Sequence, residues 1–319
     1  MTSTISHAEL LAMGHSPHDI TALCDSGELT RLRHSMYSAE RLDDELTRHR
    51  TLIRATTRLV DPTSVVSHTS AAVLHGLPVQ RSSLDRVTMT RLTPGHGDKS
   101  PQLLVRNTRI IEAEIGEVDD VRVTGLARTV CDVARTEPLG WGISAADAAL
   151  AAGISRSELG AALAMHPRLH GLRRARRVLR FADARSESPA ESISRINMSI
   201  AGLPTPELQT ELFDADGEFV ARADFFWRDY GVVGEVDGAI KYGALLRPGQ
   251  KPEQAIMNEK RREGGIRGLG LWLVRWDWEV ANSPQELKRI VGRALELGAR
   301  QNAKNLPDPA GFPKVGRSA

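Results

Sequence analysis

Apolar positions along the chain repeat with helical spacing in some segments and with strand spacing in others. The helical segments, in chain order, are 6–13, 16–27, 42–60, 67–76, 124–134, 144–165, 172–180, 188–202 and 283–297. The strand segments are 65–66, 87–91, 103–106, 110–115 and 271–276, together with a C-terminal pair of runs. Helices and strands alternate along the whole length, so the pattern predicts a mixed α/β (α+β) fold.

The C-terminal pair of strand runs is the segment that says most about function. The runs 219–227 and 232–236 are rich in aromatic and β-branched residues and flank a polar turn, which predicts a β-hairpin. Folding back about this turn places Asp224 opposite Glu235, and strand periodicity places Asp237 on the same face as Glu235. Like charges that face each other destabilise a sheet by roughly 0.2–1 kcal/mol per pair. Two interpretations stay open: a site for a divalent cation, which carboxylate oxygens bind well, or a solvated edge whose acids meet nearby arginines.

The first forty residues predict a winged helix-turn-helix, because two short helices precede a small basic hairpin. In such a module the second helix enters the major groove of DNA, but here that helix carries two aspartates and no Arg or Lys. Phosphate contacts supply most of the affinity of DNA-binding proteins. The candidate DNA contacts are therefore Arg31, Arg33 and His34 on the wing. The alternative is a helical module used for protein packing.

Length, composition and charge limit which classes of protein this chain can belong to. A chain of 319 residues with 41% hydrophobic residues is long and apolar enough for two or three domains with real cores. The net charge is only +2, so any nucleic-acid interface must be a local basic patch. Cys24 and Cys131 lack metal-ligand spacing and fit buried thiols in a reducing compartment. With no signal peptide or apolar span in the sequence, we expect a cytoplasmic protein that does not enter membranes.

The sharpest charge run lies on the helix predicted over 172–180, where arginines surround an apolar stripe. We predict that Arg173, Arg174 and Arg177 form a phosphate-binding stripe beside the acidic hairpin. A solvated helix that pairs with surface acids is the alternative. The next helix begins with a capping box that ends at Glu191, and this structural role is sufficient to explain Glu191.

Short motifs in the front half of the chain are Met13-Gly14-His15-Ser16, Gly27-Glu28-Leu29, Met36-Tyr37-Ser38, Ser67-His68-Thr69-Ser70-Ala71-Ala72 and Arg128-Thr129-Val130-Cys131-Asp132. They resemble the DNA-binding domain and the following region of AbiEi-type antitoxins from type IV toxin–antitoxin systems. This resemblance implies a regulator that binds DNA and has a nucleotidyltransferase-like toxin as its partner. In the middle region no catalytic pair, phosphate loop or metal cluster is evident, and His68 is interpreted as a packing or capping residue.

Between Ser186 and Ala294 the elements follow the order helix with Glu191, strand with Asp224, strand with Glu235-Val236-Asp237-Gly238, helix, and strand. Further motifs are Glu259-Lys260-Arg261-Arg262-Glu263 and Gly270-Leu271-Trp272-Leu273-Val274-Arg275-Trp276. This arrangement resembles the PD-(D/E)XK restriction-endonuclease-like fold, in the branch related to very-short-patch-repair endonucleases. The resemblance implies phosphodiester cleavage that depends on Mg²⁺, with Mn²⁺ as a substitute. Asp224 and Glu235 would hold the metal, and Glu191 would add a carboxylate or orient a water.

Asp237 departs from the pattern of this fold, in which many nucleases carry a lysine two residues after the strand glutamate. Asp237 could act as a third metal ligand, and Lys241 or Lys260 could supply the ammonium group from elsewhere. Both Asp237 and Lys241 are therefore candidate catalytic residues beside Glu191, Asp224 and Glu235.

We expect a winged helix over 1–40, a middle α/β region over 41–168, and an endonuclease-like domain over 169–300 with a mixed sheet flanked by helices. A disordered tail is expected over 301–319. The two main hypotheses are a DNA-binding protein with a metal-dependent endonuclease-like domain and a non-enzymatic antitoxin-like regulator with an inert nuclease fold. An interaction protein that binds no nucleic acid is a third. Either of the first two could act as a homodimer.

Overall fold

The computed structural model describes residues 4–92, 98–237 and 252–305. The chain divides into two compact units, Met1–Ala184 and Arg185–Ala319. Both units mix helices with sheets, so the predicted α+β fold class is confirmed. The boundary falls after the helix at 172–181 rather than between residues 168 and 169, so this helix belongs to the first unit and not to the C-terminal domain. Within the described ranges, no helix is both long and apolar enough to cross a membrane.

The first unit begins with a small module in which two helices pack on a three-stranded sheet. In chain order its elements are β1 (Thr4–Ser6), α1 (His7–Ala12), α2 (Pro17–Ser26), β2 (Thr30–Arg33) and β3 (Met36–Ser38). The strands lie in the order β1-β3-β2, and both pairings are antiparallel. Leu10, Ile20, Leu29 and Tyr37 form its core. Both helices and the hairpin lie where the sequence predicted them, whereas β1 was not predicted.

The rest of the first unit is a six-stranded sheet covered by helices. Its elements are α3 (Glu45–Thr57), β4 (Ser64–Val66), α4 (His68–Leu74), β5 (Val87–Arg91), β6 (Asp98–Lys99), β7 (Leu103–Arg106), β8 (Ile115–Val118), β9 (Val121–Thr124), α5 (Leu126–Thr136), α6 (Leu139–Ala151), α7 (Arg156–Met165) and α8 (Leu172–Phe181). Short 3₁₀ turns lie at Arg81–Ser83 and Glu112–Glu114. The sheet order is β6-β7-β5-β4-β9-β8, with β4 parallel to β9 and β5 parallel to β7.

The strand predicted over 110–115 is wrong. Ile110 is buried, but the backbone then makes the 3₁₀ turn at Glu112–Glu114 before β8 begins. This turn carries the Glu114 carboxylate into the interior, where Arg128 of α5 donates two hydrogen bonds to it. A distant buried arginine therefore decides the conformation here, and apolar periodicity cannot detect such a partner.

The second unit is a four-stranded sheet with helices on both faces. Its elements are α9 (Pro189–Ile200), β10 (Glu207–Phe213), β11 (Phe219–Trp227), β12 (Val232–Val236), α10 (Pro252–Gly268), β13 (Trp272–Trp276), α11 (Trp278–Ala281) and α12 (Pro284–Asn305). The order is β10-β11-β12-β13, with antiparallel pairing except between the parallel strands β12 and β13. One core joins the sheet to α9, α11 and α12, and the other joins it to α10. The helix α12 extends to Asn305, into the segment predicted to be a disordered tail.

Two glycines in the second unit are explained by close packing. A Cβ atom on Gly234, in the middle of β12, would lie 2.8 Å from the indole rings of both Trp227 and Trp276. A Cβ atom on Gly265, in α10, would lie 2.7 Å from Cγ1 of Val220. Because Gly234 has no side chain, Trp227 and Trp276 can pack over β12. Because Gly265 has none, α10 can pack closely on β11.

Candidate functional site

The predicted acidic hairpin is present with the predicted register. Strands β11 and β12 pair Trp227 with Val232, Phe226 with Val233 and Phe225 with Gly234, and Asp224 and Glu235 are the next residues on the two strands beyond these pairs. Just beyond these pairs, the Val236 N–H donates to Asp224 Oδ2 at 3.2 Å. The Asp224 carboxylate therefore contacts the backbone of the residue that follows Glu235, at the end of the ladder between β11 and β12.

The Glu235 carboxylate is buried and holds two guanidinium groups. It is only 5% exposed and lies on the face of the sheet covered by α10. Arg262 of α10 donates to both of its oxygens, at 2.7 Å for the bond from Nη2 to Oε2. Arg275, directly beside Glu235 on β13, donates from Nε to Oε2 at 2.9 Å. Both oxygens of Glu235 are thus engaged by arginines.

A second glutamate, Glu259 of α10, belongs to the same ionic network, and Glu263 of this helix lies 3.7 Å from Nη1 of Arg275. Arg262 donates to Glu259 from Nε and Nη2, at 3.0 Å each, and Arg275 donates to it as well. The hydrogen bonds from Arg262 lower the pKa of Glu259. Burial alone would lower the pKa of Arg262, but its bonds to Glu235 and Glu259 outweigh burial and raise that pKa. These ion pairs join α10 to β12 and β13.

Glu191 lies at the start of α9, where it links this helix to β10. Its oxygens accept hydrogen bonds from Ser188 Oγ at 2.7 Å, from the Glu187 N–H at 2.9 Å, and from Gln209 Nε2 at 2.9 Å. The predicted cap by Ser188 is present, but the return bond goes to Glu187 rather than to the backbone of Ser188. Gln209 itself has a left-handed backbone, with φ of +51°, that turns its side chain toward Glu191. With three donors around it, Glu191 has a clear structural role.

The remaining acid of the hairpin lies just beyond the strand. Asp237 is exposed, and its backbone N–H donates to the carbonyl oxygen of Trp276 at 2.8 Å, so it extends the pairing of β12 with β13. Lys241 lies outside the described residues. Among the residues that are described, no three His, Cys, Asp or Glu side chains come together in a way that could hold a metal ion.

The predicted DNA contacts differ in their exposure. Arg31 and His34 are exposed on the β2–β3 hairpin. Arg33 is half-buried and turns toward α3, where its Nη1 donates to Thr56 Oγ1 at 2.8 Å. The β2–β3 hairpin therefore presents Arg31 and His34 to solvent, whereas Arg33 connects the hairpin to α3.

The arginines of α8 are exposed on the face opposite its apolar stripe, as predicted. Arg173 and Arg177 are exposed, and so is Arg174, whose Nη1 also donates to the carbonyl oxygen of Glu137 at 2.9 Å. This helix lies in the first unit and the acidic hairpin lies in the second. The stripe is therefore a feature of the first unit by itself.

The sequence did not reveal a buried ionic network in the middle region. Asp132 is fully buried between Arg128, whose Nε donates to it at 3.0 Å, and Arg135, whose Nε donates at 2.8 Å. Arg128 also donates to both oxygens of Glu114 at 2.9 Å, and His166 donates to Glu114 at 2.7 Å. Arg128, Asp132 and Arg135 are spaced as i, i+4 and i+7 along α5, and this spacing could have predicted that they share one face of the helix.

His68 joins this network to the start of α4. It is fully buried, its backbone has a φ of +53°, and its Nε2 accepts a hydrogen bond from Arg135 Nη2 at 2.9 Å. Because the guanidinium can only donate, the imidazole proton resides on Nδ1, which lies 3.0 Å from Ser67 Oγ. Burial lowers the pKa of His68 to about 3, so it is neutral at physiological pH. His68, for which a packing role was predicted, thus connects the start of α4 to α5.

No family model matches this chain. Two proteins of Mycobacterium tuberculosis are similar to it: uncharacterized protein MT2308 of strain CDC 1551 / Oshkosh and uncharacterized protein Rv2248 of strain ATCC 25618 / H37Rv. Each is 31% identical over 229 residues, which cover 71% of this chain and 79% of the relative. At this identity and coverage, the chain belongs to the same protein family as these two mycobacterial proteins.

Proposed function

We propose that the chain is a DNA-binding protein whose C-terminal unit is a metal-dependent endonuclease-like module. The observation that carries this proposal is the hydrogen bond from the N–H of Val236, the residue after Glu235, to Asp224 Oδ2 at the end of the ladder between β11 and β12. The order of elements supports it: a helix, three antiparallel strands, a helix, and a strand parallel to the third. The resemblance to PD-(D/E)XK endonucleases implies this order for α9, β11, β12, α10 and β13, whereas β10 is an additional strand that the sequence did not predict.

The donor set suits Mg²⁺ in its chemistry. Mg²⁺ is usually bound by one or two carboxylates together with waters and substrate phosphates, and Asp224 and Glu235 are two carboxylates on neighbouring strands. When bound, the cation would activate a water and stabilise the negative charge that develops at phosphorus. Arg262 and Arg275 already engage Glu235, so the cation must compete with two guanidiniums for this carboxylate.

The arginines Arg262 and Arg275 could also replace the lysine that is absent at position 237. An aspartate cannot supply the positive charge that a lysine provides at this position in many nucleases of this fold. Arg262 and Arg275 bring two permanent positive charges to within hydrogen-bonding distance of Glu235, from α10 and β13. Arginine forks also bind phosphate oxygens well, so these side chains would hold the DNA backbone beside the two carboxylates.

A second candidate is a non-enzymatic regulator, and the same arginines favour it. If Arg262 and Arg275 remain on Glu235, the C-terminal unit holds DNA or a partner without cutting DNA. In this case the first unit would repress a promoter through Arg31 and His34 on the wing, with the α8 arginines as further phosphate contacts. A nucleotidyltransferase-like toxin is the partner that the antitoxin resemblance implies. Free thiols at Cys24 and Cys131 support a cytoplasmic location for either function.

One experiment separates the two functions. Purified full-length protein is incubated with supercoiled plasmid DNA in Mg²⁺, in Mn²⁺ and in chelator. We expect nicking that requires the metal and that is lost in Asp224→Asn, which keeps the shape of the side chain. Glu211→Gln, at an exposed position of β10, is the matched control and should cut like the wild type.

Three results decide the outcome of this experiment. Cutting that persists in chelator, or in a folded Asp224→Asn protein, rules out the proposed metal site. A gel shift without cutting at any metal concentration favours the regulator. In the same gel-shift assay, Arg31→Ala should weaken binding and reduce the slope of log K against log salt by about one, as expected for one lost phosphate contact. An unchanged slope would exclude the wing as a DNA contact.

A further inference from the structure

A cavity of about 310 Å³ opens on the first unit between α3, the strand β2 and the segment that precedes β5. Its lining includes Leu32, Leu52 and Leu84, together with His49 of α3. Three leucines and a buried histidine form its floor, and four charged, exposed side chains surround its mouth. Its volume lies at the small end of the range for ligand sites, which is roughly 300–1,000 Å³.

The floor is held in place by a chain of buried hydrogen bonds. The Thr88 N–H donates to Ser70 Oγ at 2.8 Å, and Ser70 Oγ lies 2.9 Å from His49 Nε2. His49 Nδ1 lies 2.7 Å from the carbonyl oxygen of Leu84, which can only accept, so Nδ1 carries the proton and Ser70 donates to Nε2. Burial lowers the pKa of His49 to about 4, so this arrangement is stable at neutral pH. These hydrogen bonds connect α3, α4 and β5, and they hold the floor of the cavity in place before any ligand binds.

The charges at the mouth are balanced in sign. Arg81 and Glu45 form an ion pair at 2.7 Å across the mouth, and both side chains are more than half exposed. Such an exposed pair contributes little to stability, because water screens both charges. Arg48 and Asp85 form neither an ion pair nor a side-chain hydrogen bond with any residue in the described part of the chain. One free cation and one free anion therefore stand at the mouth of an apolar cavity.

We propose that this cavity binds a small zwitterion with an apolar side group, of the size and charge of a hydrophobic α-amino acid. The apolar side group would pack on Leu32, Leu52 and Leu84. Arg48 would bind the carboxylate through charge-assisted hydrogen bonds, and Asp85 would bind the ammonium group. A phosphorylated ligand fits poorly, because its extra negative charge would meet Glu45 and Asp85 at the same mouth.

The test uses the full-length chain, by isothermal titration calorimetry and thermal melting, with L-leucine and L-phenylalanine as probes. We expect one of them to bind with 1:1 stoichiometry and to raise the melting temperature. The matched probes are 3-phenylpropionate, which lacks the ammonium group, phenethylamine, which lacks the carboxylate, and inorganic phosphate. Each should bind at least about tenfold more weakly than the zwitterion, since a charge-assisted contact is lost.

Two variants and a control connect the binding to the cavity. Arg48→Met and Asp85→Asn should each weaken the binding of the amino acid by about tenfold, the effect of one lost charge-assisted contact. Both positions are exposed, so the unliganded proteins should melt like the wild type. Arg41→Met changes an exposed arginine outside the cavity wall and should bind like the wild type.

The proposal is overturned if neither amino acid binds at concentrations up to about 10 mM, which corresponds to less than about 3 kcal/mol of binding free energy. Equal affinity for phosphate or for 3-phenylpropionate overturns it as well, and so does wild-type binding by Arg48→Met. No DNA is present in these measurements. The result is therefore independent of whether the chain binds or cuts DNA.

Discussion

Replacing Asp132 by Asn removes the negative charge from the centre of the buried network in the first unit. The carboxylate is fully buried and accepts hydrogen bonds from Arg128 at 3.0 Å and from Arg135 at 2.8 Å. Burial alone would raise the pKa of Asp132, but the charges around it, those of Arg128 and Arg135 among them, lower that pKa. Asp132 is therefore ionised at neutral pH, and an asparagine of the same shape isolates the effect of its charge.

The expected loss in the free energy of unfolding follows from the two guanidiniums that stay behind. An asparagine can accept from one of them with its carbonyl oxygen, but its amide NH₂ group then faces the other donor. Breaking a buried ion pair in this way costs about 3–5 kcal/mol. Since domains are stable by only about 5–15 kcal/mol, this is a large share of the stability of the first unit. In a unit of this size it lowers the melting temperature by roughly 6–20 °C.

The assay must report on the first unit alone, because the chain has two units. Hydrogen exchange followed by mass spectrometry, at increasing urea concentrations, gives an unfolding free energy for peptides that cover α5. Glu112→Gln is the control, because it neutralises a glutamate that is 73% exposed in an ion pair with Arg122. We expect at most about 1 kcal/mol for this control. If Asp132→Asn costs no more than the control, the network does not stabilise the fold and our electrostatic reasoning is wrong.

Two further predictions concern pH and packing. The first unit should lose stability as the pH falls from about 6.5 to 4, because His49 and His68 bind a proton in the unfolded chain but stay neutral when they are buried. Each histidine lowers the free energy of unfolding by up to about 1.4 kcal/mol per pH unit. Equal free energies of unfolding near pH 7 and pH 5 would contradict this prediction. In the second unit, Gly264→Ala should stabilise α10 by about 0.5–1 kcal/mol, because a Cβ atom there meets no atom. The neighbouring substitution Gly265→Ala should destabilise the second unit, because the new Cβ atom would lie 2.7 Å from Cγ1 of Val220. Equal shifts of the melting temperature for both variants would refute this packing argument.

Local rules were sufficient wherever a segment carries its own signal. The hairpin around Gly231 has two strand-like runs that flank a polar turn, so its register from Trp227 with Val232 to Phe225 with Gly234 follows from the sequence. Ser16 with Pro17 marks the start of α2, and Gly27 marks its end with a left-handed backbone. The apolar stripe of α8 likewise predicts which of its arginines are exposed. Each of these features depends on residues within a few positions of one another.

Contacts between distant segments decided the rest. Glu235 is separated by 27 and 40 positions from the arginines that engage it, and no periodicity in the sequence connects those side chains. Gln209 reaches Glu191 only because its backbone is left-handed, which the surrounding strand residues do not indicate.

The sequence by itself determined the fold class, most helices, and the register of the acidic hairpin, because these follow from backbone preferences and from apolar periodicity. Only the tertiary structure decided which charges are buried together, as in the network around Asp132, and which acids face arginines rather than solvent. The physical reason is that a buried charge needs an opposite charge within a few ångströms, and folding brings that partner from anywhere in the chain.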